Sequence, residues 1–274
     1  MERSIPSDIL LRTLEAYMAV RNEELFTGKA GIYGKFRPIY PKEFIDYLFT
    51  EVGFNTNSVI ADIGSGTGIF SRLLIERGSK VYSIEPNDDM RLNAENDLNN
   101  FAERNNFISV NAHAENTGLH EKSVDFVVAA QAFHWFDKTK FKTECRRILR
   151  PGGKVILAWN LREYHSEFMK KDYSVREKYC IENKSFGLIE QQKSNLCEFF
   201  SDEICDVKTF RNDMVLDKDS YIGMTLTRSY IPDVIKNPKE YNGLVKELNT
   251  VFDNYNVNGV INILQVTKSY FGYV

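Results

Sequence analysis

An excess of one charge is missing from this 274-residue chain: 35 Lys and Arg stand against 38 Asp and Glu, for a net charge of -3. With an isoelectric point near 5.9, it lacks the basic face that nucleic-acid binding demands. The pairs Arg146–Arg147 and Lys170–Lys171 are too short to supply one and read as solvated helix faces. Long apolar runs are also missing. None approaches the roughly 18 residues of a membrane-spanning helix, so neither a nucleic acid nor a membrane is expected as a partner. The opening Met1-Glu2-Arg3-Ser4 has no apolar core of the kind a signal peptide needs. Cysteine is scarce, and Cys145, Cys180, Cys197 and Cys205 show neither paired spacing nor histidines at zinc-like distances. They read as reduced thiols, with no metal site. Together these absences point to the cytoplasm. No internal repeat or low-complexity segment appears.

What is present is the composition of a folded α/β protein, 43% hydrophobic and 27% charged. Short apolar runs alternate with helical patterns from Pro41 to Asn160, which implies a parallel sheet with helices on both faces. The predicted strands are Ser58–Ile63, Lys80–Glu85, Phe107–Asn111, Val124–Ala130 and Val155–Asn160. Helices are predicted over Ile69–Arg77, from Pro86 to about Arg104, and over Lys138–Leu149 with Asp137 as N-cap. An amphipathic helix, Ser7 to about Leu25, precedes this core, and a loop with Gly28, Gly31, Gly34 and Pro38 joins them. After it, Arg162–Asn183 and Leu188–Phe200 read as a helical cover. Asp206–Val215 reads as a strand, Asp217–Arg228 and Pro238–Asn254 as helices, and Gly259–Tyr273 as the last strand. The expected division is 1–40, 41–160, 161–204 and 205–274.

The most informative stretch is Asp62-Ile63-Gly64-Ser65-Gly66-Thr67-Gly68, between the first strand and the helix after it. Glycines at alternate positions let the backbone turn sharply and approach a ligand closely. Such a turn aims amide groups and a helix N-terminus at the space beyond the strand. A dinucleotide fingerprint would need Gly or Ala three places after the second glycine, where Ile69 stands. A P-loop would need a closing Lys-Ser or Lys-Thr pair, which is missing. Glu85 ends the next strand about 20 residues on, where a carboxylate can accept both hydroxyl hydrogens of a ribose.

The acidic-x-Gly-x-Gly-x-Gly spacing resembles the first motif of class I S-adenosylmethionine-dependent methyltransferases. Leu149-Arg150-Pro151-Gly152-Gly153 before the fifth strand is a second feature of that family. A narrower likeness, to the small-molecule group containing trans-aconitate methyltransferases, lies in three stretches. They are Tyr33 to Pro41, Ala132-Phe133-His134-Trp135-Phe136-Asp137, and Ser229-Tyr230-Ile231-Pro232 through Val251-Phe252-Asp253. The resemblance implies a Rossmann-like, mostly parallel seven-stranded sheet whose last strand is antiparallel, with a helical cover. It implies S-adenosylmethionine as cofactor, S-adenosylhomocysteine as product, and a small-molecule acceptor bound by a monomer or homodimer. The cofactor set is then Asp62, Gly64, Ser65, Gly66, Thr67, Gly68, Glu85, Pro86, Met90, Ala114, Glu115, Gln131 and Ala132. In that set Met90 packs on the adenine, and Ala114 and Glu115 contact its ring and amino group. His113 stands where many relatives carry Asp; it is read as either an adenine contact or a solvated loop residue.

Phe133, Trp135 and Phe136 are candidate acceptor-binding residues, and their alternative is packing between sheet edge and cover. A sulfonium methyl is already activated, so catalysis is chiefly alignment and exclusion of water. A carboxylate acceptor needs no base. A hydroxyl or amine does, and His134 is the histidine beside the expected methyl site. Tyr33 and Arg37 are read as a lid whose arginine clamps an acceptor carboxylate or, alternatively, ties the loop to a surface acid. Two other functions remain open: a nicotinamide enzyme on a similar sheet, and a non-catalytic binder of the same cofactor.

Overall fold

The computed structural model describes residues 39–99, 106–180, 196–228, 230–232 and 234–274. Tyr33 and Arg37, with the expected N-terminal helix, lie outside them. The elements run α1 (Lys42–Tyr47), β1 (Val59–Ile63), α2 (Ile69–Glu76), β2 (Lys80–Ile84), α3 (Asp88–Leu98), β3 (Phe107–Val110), β4 (Val124–Ala130), α4 (Lys138–Ile148) and β5 (Leu149–Arg162). Then come α5 (Glu167–Lys178), β6 (Asp206–Arg211), β7 (Met214–Leu216), α6 (Lys218–Leu226), α7 (Pro238–Tyr255), β8 (Ile261–Ile263) and β9 (Gln265–Gly272). Helix starts follow their caps. The side chains of Asn87, Asp137 and Ser166 accept from backbone amides of α3, α4 and α5 respectively, satisfying donors that a helix cannot use itself.

Seven strands form one sheet in the order β3-β2-β1-β4-β5-β9-β6. Strands β1 to β5 are parallel, and β9 is antiparallel to both β5 and β6. This is the Rossmann-like sheet with an antiparallel last strand that the resemblance implies. The chain winds outward from β1 to β3, then returns to place β4 on the other side of β1. That reversal opens a crevice beyond the carboxyl ends of β1 and β4. Strands buried on both faces read as continuous apolar runs, as Val59-Ile60-Ala61-Asp62-Ile63 does, with Asp62 its one ionisable residue.

One face of the sheet packs on Phe141, Cys145 and Ile148 of α4. The other packs on Phe44 of α1, Phe70 and Leu74 of α2, and Ala94 and Leu98 of α3. A third cluster joins Phe168 and Val175 of α5, Tyr221 and Met224 of α6, Leu244 and Leu248 of α7, and Ile261 and Ile263 of β8. Helices from before and after β6 thus share one cap with its own core.

Several boundaries differ from the sequence reading. The strand expected over 206–215 is two strands: β6 joins the main sheet, and β7 pairs only with β8. The last strand breaks in the same way, into β8 and β9. Asn212 and Asp213 make the break, since the first donates its N–H to Gln265 O and the second accepts from Gln265 N–H, each at 3.0 Å. The helix expected from Arg162 begins at Glu167, because Asn160, Leu161 and Arg162 still pair with β9. Helix α3 ends at Leu98, and the tail of its predicted span, 100–104, lies outside the described residues. Of the helix expected over 188–200, the described part is a short 3-10 turn, Leu196–Phe199.

The reading of all four cysteines as reduced thiols is corrected. Cys197 and Cys205 form a disulfide, because the turns between them bring their Cα atoms to 5.3 Å, within bridging range. Cys145 and Cys180 take no part in that bridge. The inference of a reducing compartment loses that support. Among the described residues, no helix is long and apolar enough to cross a membrane.

Phe44, fully buried, has its ring 5.4 Å from that of Phe210 and 6.0 Å from that of Phe70, and so ties α1 to the sheet. Phe44→Ala is expected to lower the unfolding free energy by about 3–5 kcal/mol, the usual cost of deleting a buried aromatic ring. Urea denaturation measures it, and a loss below about 1 kcal/mol would mean that this face is not closed.

Candidate functional site

The turn after β1 is held to the end of β2. Gly64 and Ser65 donate their N–H groups to Ile84 O at 2.9 and 3.1 Å, and Ser83 Oγ bonds Ser65 Oγ at 2.7 Å. This places Glu85, the residue after β2, beneath the turn. Its Oε2 accepts from Gly66 N–H and its Oε1 from Asn87 N–H, both at 2.9 Å. The acid and the glycine turn, separate signals in the sequence, are one unit in space.

The three glycines have different tasks. All adopt left-handed backbone angles, with φ of 67°, 58° and 77° at Gly64, Gly66 and Gly68. A Cβ on Gly64 would stand 2.6 Å from Ala132 Cβ, and one on Gly68 would stand 2.7 Å from Leu98 Cδ1. These two allow close packing of the turn after β4 and of α3. Beside Gly66 a Cβ would meet nothing within 4 Å among the described residues. Gly66 therefore opens on the space where a ligand can approach the backbone.

Asp62 is 1% exposed. Its Oδ2 accepts from Ser71 Oγ of α2 at 2.7 Å, while Oδ1 finds no partner among the described residues. Burial pushes its pKa up to about 7, the Ser71 hydrogen bond opposes that rise, and the nearby Glu85 charge adds to it. Thr67 Oγ1, also buried, likewise has no partner among the described residues. Two orphaned oxygens flanking the turn suit a ligand that brings a cation and hydrogen-bond donors, since unpaired buried polar atoms are costly.

The loops after β2 and β3 hold the next candidates. Pro86 precedes the cap of α3, and Met90 is buried in the first turn with its N–H on Asn87 Oδ1 at 2.9 Å. Ala114 is buried, His113 is exposed, and Glu115 Oε1 accepts from Asp137 N–H at 2.8 Å. That bond joins the loop after β3 to the cap of α4.

At the end of β4, Gln131 has φ of 64°, an unusual angle for a non-glycine residue and one that clusters at functional sites. Its N–H bonds Ala158 O at 2.8 Å, fixing the strand exit. Ala132 packs under Gly64, and Phe136 touches the same glycine. His134 and Trp135 sit half-buried in the 3-10 turn Phe133–Trp135, with ring centroids 4.8 Å apart. Phe133 is not on an open face. It is fully buried, with ring contacts to Phe136, Phe141, Trp159 and Phe199. Among the described residues, no group of three or more His, Cys, Asp or Glu is placed to hold a metal ion. Ser71 and Ser83 are site residues that sequence reasoning missed, and an isolated serine carries no signal that would have marked them.

Two measurements test this geometry. Asp62 has a folded-state pKa of about 7 against an ordinary value of 3.8, so the folded protein favours the protonated acid. Its destabilising effect is nil below the ordinary carboxylate range and grows as pH rises toward about 7, by roughly 1 kcal/mol per pH unit. Asp62→Asn is expected to flatten the stability profile between pH 5 and 7, and a profile parallel to the wild type would exclude this burial. Gly66→Ala is expected to cost only backbone strain, on the order of 1–2 kcal/mol, whereas Gly64→Ala adds a steric clash and costs more. Equal losses in thermal denaturation would refute the division of tasks.

Comparison with known proteins agrees with this arrangement. Residues 61–157 match the family described as a methyltransferase domain. An uncharacterised methyltransferase of Mycobacterium tuberculosis is 36% identical over 138 residues, covering 50% of this chain and 53% of that protein. An uncharacterised methyltransferase-like protein of Schizosaccharomyces pombe is 28% identical over 158 residues, covering 56% of this chain and 58% of that protein. The chain thus spans little more than half the length of these relatives. Among solved structures, a candidate type II methyltransferase of Anaeromyxobacter dehalogenans superposes with a TM-score of 0.62 at 21% identity, covering 87% of this chain and 98% of that one. An N-methyltransferase of Haemonchus contortus, solved with phosphomonomethylethanolamine and S-adenosylhomocysteine, gives a TM-score of 0.51 at 16% identity, covering 94% and 59% respectively. The match to the methyltransferase-domain family over residues 61–157 thus takes in the glycine turn, Glu85 and most of strands β1 to β5, within a sheet that the solved methyltransferases share.

Proposed function

We propose that this protein transfers the methyl group of S-adenosylmethionine directly to a small-molecule acceptor. The observation that carries the reading is the junction of Glu85 with the glycine turn, 2.9 Å from carboxylate to Gly66 N–H. A carboxylate has about four acceptor positions, and here it sits at the strand end where ribose hydroxyls are received in related sheets. The orphaned oxygens of Asp62 and Thr67 fit the cationic and donor groups of the cofactor's amino-acid end. The Haemonchus contortus neighbour, which shares the fold, was solved with S-adenosylhomocysteine, and that supports the same cofactor class.

In this reading Asp62 and the turn from Gly64 to Gly68 receive the amino-acid end, and Glu85 with Pro86 receives the ribose. Met90, Ala114 and Glu115 border the adenine, and Gln131 and Ala132 border the sulfur. Bound S-adenosylmethionine supplies an activated methyl group, so the residues around it chiefly orient the acceptor and exclude water. Trp135 and Phe136 form the acceptor wall, and Phe133 anchors it from the core. His134 takes a proton where the acceptor is a hydroxyl or amine, and is idle toward a carboxylate.

Glu85→Ala is expected to weaken S-adenosylmethionine binding by about 1–3 kcal/mol, the scale of a lost hydrogen bond to a charged group. Isothermal titration measures this, with NADH as the control for a nicotinamide enzyme. An unchanged dissociation constant would remove Glu85 from the ribose, and NADH binding in place of S-adenosylmethionine would overturn the reading.

A further inference from the structure

A disulfide that this mechanism does not use lies next to the acceptor wall. Cys197 stands in the 3-10 turn Leu196–Phe199 and Cys205 immediately before β6, eight positions apart. The bond therefore ties the turn to the edge strand of the sheet. Within the loop that it closes, Phe200 donates its N–H to Cys197 O at 2.9 Å, Ser201 to Tyr273 O at 2.7 Å and Ile204 to Ser201 O at 3.1 Å. Phe200 and Ile204 press against Gly272 of β9, where a Cβ would stand 2.8 Å from Phe200 Cδ1 and 2.9 Å from Ile204 O.

Two features distinguish this bond from a buried staple. Asp202 and Glu203, consecutive residues between the cysteines, both hold left-handed backbone angles, with φ of 54° and 55°. An L side chain disfavours that region, and such residues persist only where their surroundings impose them. The bond closes their loop, so cutting it frees them to relax. The cysteines are also within reach of solvent. Cys197 and Cys205 are half-buried, and Glu198, Asp202, Glu203 and Ile204 between them are exposed. Attack by a thiolate on a disulfide depends on that access.

The closed loop supports the acceptor wall from beneath. Phe199 is buried, with its ring 4.9 Å from that of Phe133 and stacked at 5.6 Å on that of Phe141 in α4. Lys142 of the same helix donates to Phe200 O at 3.3 Å. Phe133 opens the 3-10 turn that carries His134 and Trp135, and its ring lies 6.2 Å from that of Trp159. Cys205 packs against the same core cluster. A shift of Phe199 thus reaches Phe133 through one contact. The ribose side lies off this route, because Gly64 and Ser65 are fastened to Ile84 and Gly66 to Glu85.

We propose that the Cys197–Cys205 bond is a redox switch for the acceptor wall. Oxidised, it clamps Phe199 under Phe133; reduced by a dithiol, it releases Phe199 and loosens the turn that carries His134 and Trp135. The assignment of that turn to the acceptor rests on the methyltransferase reading. In the reducing step a thiolate of the dithiol attacks one cysteine sulfur, the S–S bond breaks, and a mixed disulfide forms. The second thiolate of the dithiol then displaces the cysteine still bound. Two electrons pass from the dithiol, which leaves as a disulfide, and its two protons end on the sulfurs of Cys197 and Cys205.

Intrinsic fluorescence of the full chain tests this, because its only two tryptophans, Trp135 and Trp159, both neighbour Phe133. The wild type is oxidised with oxidised glutathione and then reduced with dithiothreitol, a small dithiol, in native buffer. The double variant Cys197→Ser, Cys205→Ser serves as the bond-free control. Mass spectrometry after iodoacetamide is expected to find both cysteines protected in the oxidised protein and both alkylated in the reduced one, with far-ultraviolet circular dichroism unchanged. Acrylamide quenching of the tryptophans should rise at least twofold on reduction and fall back on reoxidation. The double variant should match the reduced protein and ignore dithiothreitol. Failure of the bond to form, its resistance to dithiothreitol in the native protein, or equal quenching in the two states overturns the proposal. Loss of circular dichroism on reduction also overturns it, since the bond would then hold the fold itself. Should the double variant not fold, the two states of the wild type decide. Titration of both states with S-adenosylhomocysteine is expected to give dissociation constants within twofold of each other, and a larger change overturns the restriction of the switch to the acceptor side. A wild type that binds no S-adenosylhomocysteine refutes the methyltransferase reading instead, and the quenching still reports whether the bond controls the turn.

Discussion

The two hydrogen bonds from Gly64 and Ser65 to the carbonyl of Ile84 are the constraint on which the rest of the site depends. They fasten the turn after β1 to the end of β2, so the next residue, Glu85, has its carboxylate under Gly66. They also fix where Gly64 sits, and Gly64 in turn receives Ala132 and Phe136 from the far side of the crevice. The two halves of the doubly wound sheet thereby meet at one glycine. A larger residue at Gly64 would push the β4 exit away and move Gln131, His134 and Trp135 with it. The contacts of a short turn thus set the spacing between the cofactor side and the acceptor side.

Asp62 and Asp172 show how the protein treats the same side chain in two ways. Both are almost wholly buried. Burial raises Asp62 to about 7, because a single serine hydroxyl and a nearby acid are poor company for a carboxylate. Burial also pushes Asp172 upward, but the charges of Arg176 and Arg162 outweigh it and hold its pKa below the ordinary value. The first is a group waiting for a cation, since a cation placed against Oδ1 would favour the ionised form. The second is a group already supplied with cations. The two stand on opposite sides of the crevice, one at the end of β1 and the other beside the end of β5.

Much of the sheet and of the glycine turn was legible in the sequence because their signals are local. Strand β4 begins and ends at the predicted residues, since Val124 to Ala130 is a continuous apolar run broken only by Asp125. Asp137 was readable as a cap because one side chain and the amides just after it make the structure. The glycine turn and Glu85 were readable for the same reason, as a turn and a strand end at a known offset. Failures came where pairing over long separations decides the outcome. Nothing near Arg162 announces that β5 continues so far, because its partners Val266 and Gln265 lie about a hundred residues on. The division of 206–215 into two strands depends on Asn212 and Asp213 meeting Gln265. The Cys197–Cys205 bond depends on a fold-back that spacing alone does not encode.

The same distinction separates the residues proposed for the cofactor from those of the cap. Everything proposed for the cofactor comes from Asp62 through Ala132, a continuous stretch that folds strand by strand beside itself. The buried charge cluster of the cap draws Arg162 from a strand end, Asp172 and Arg176 from α5, Tyr221 from α6, and Tyr230 from beyond it. Only the Asp172–Arg176 spacing of four leaves a trace in the sequence, and on a helix that pattern usually marks an exposed ion pair. Its burial is decided by the packing of α5 against α6 and α7, not by either residue. A cap assembled from separate segments around a fixed sheet can change its charges without disturbing the glycine turn.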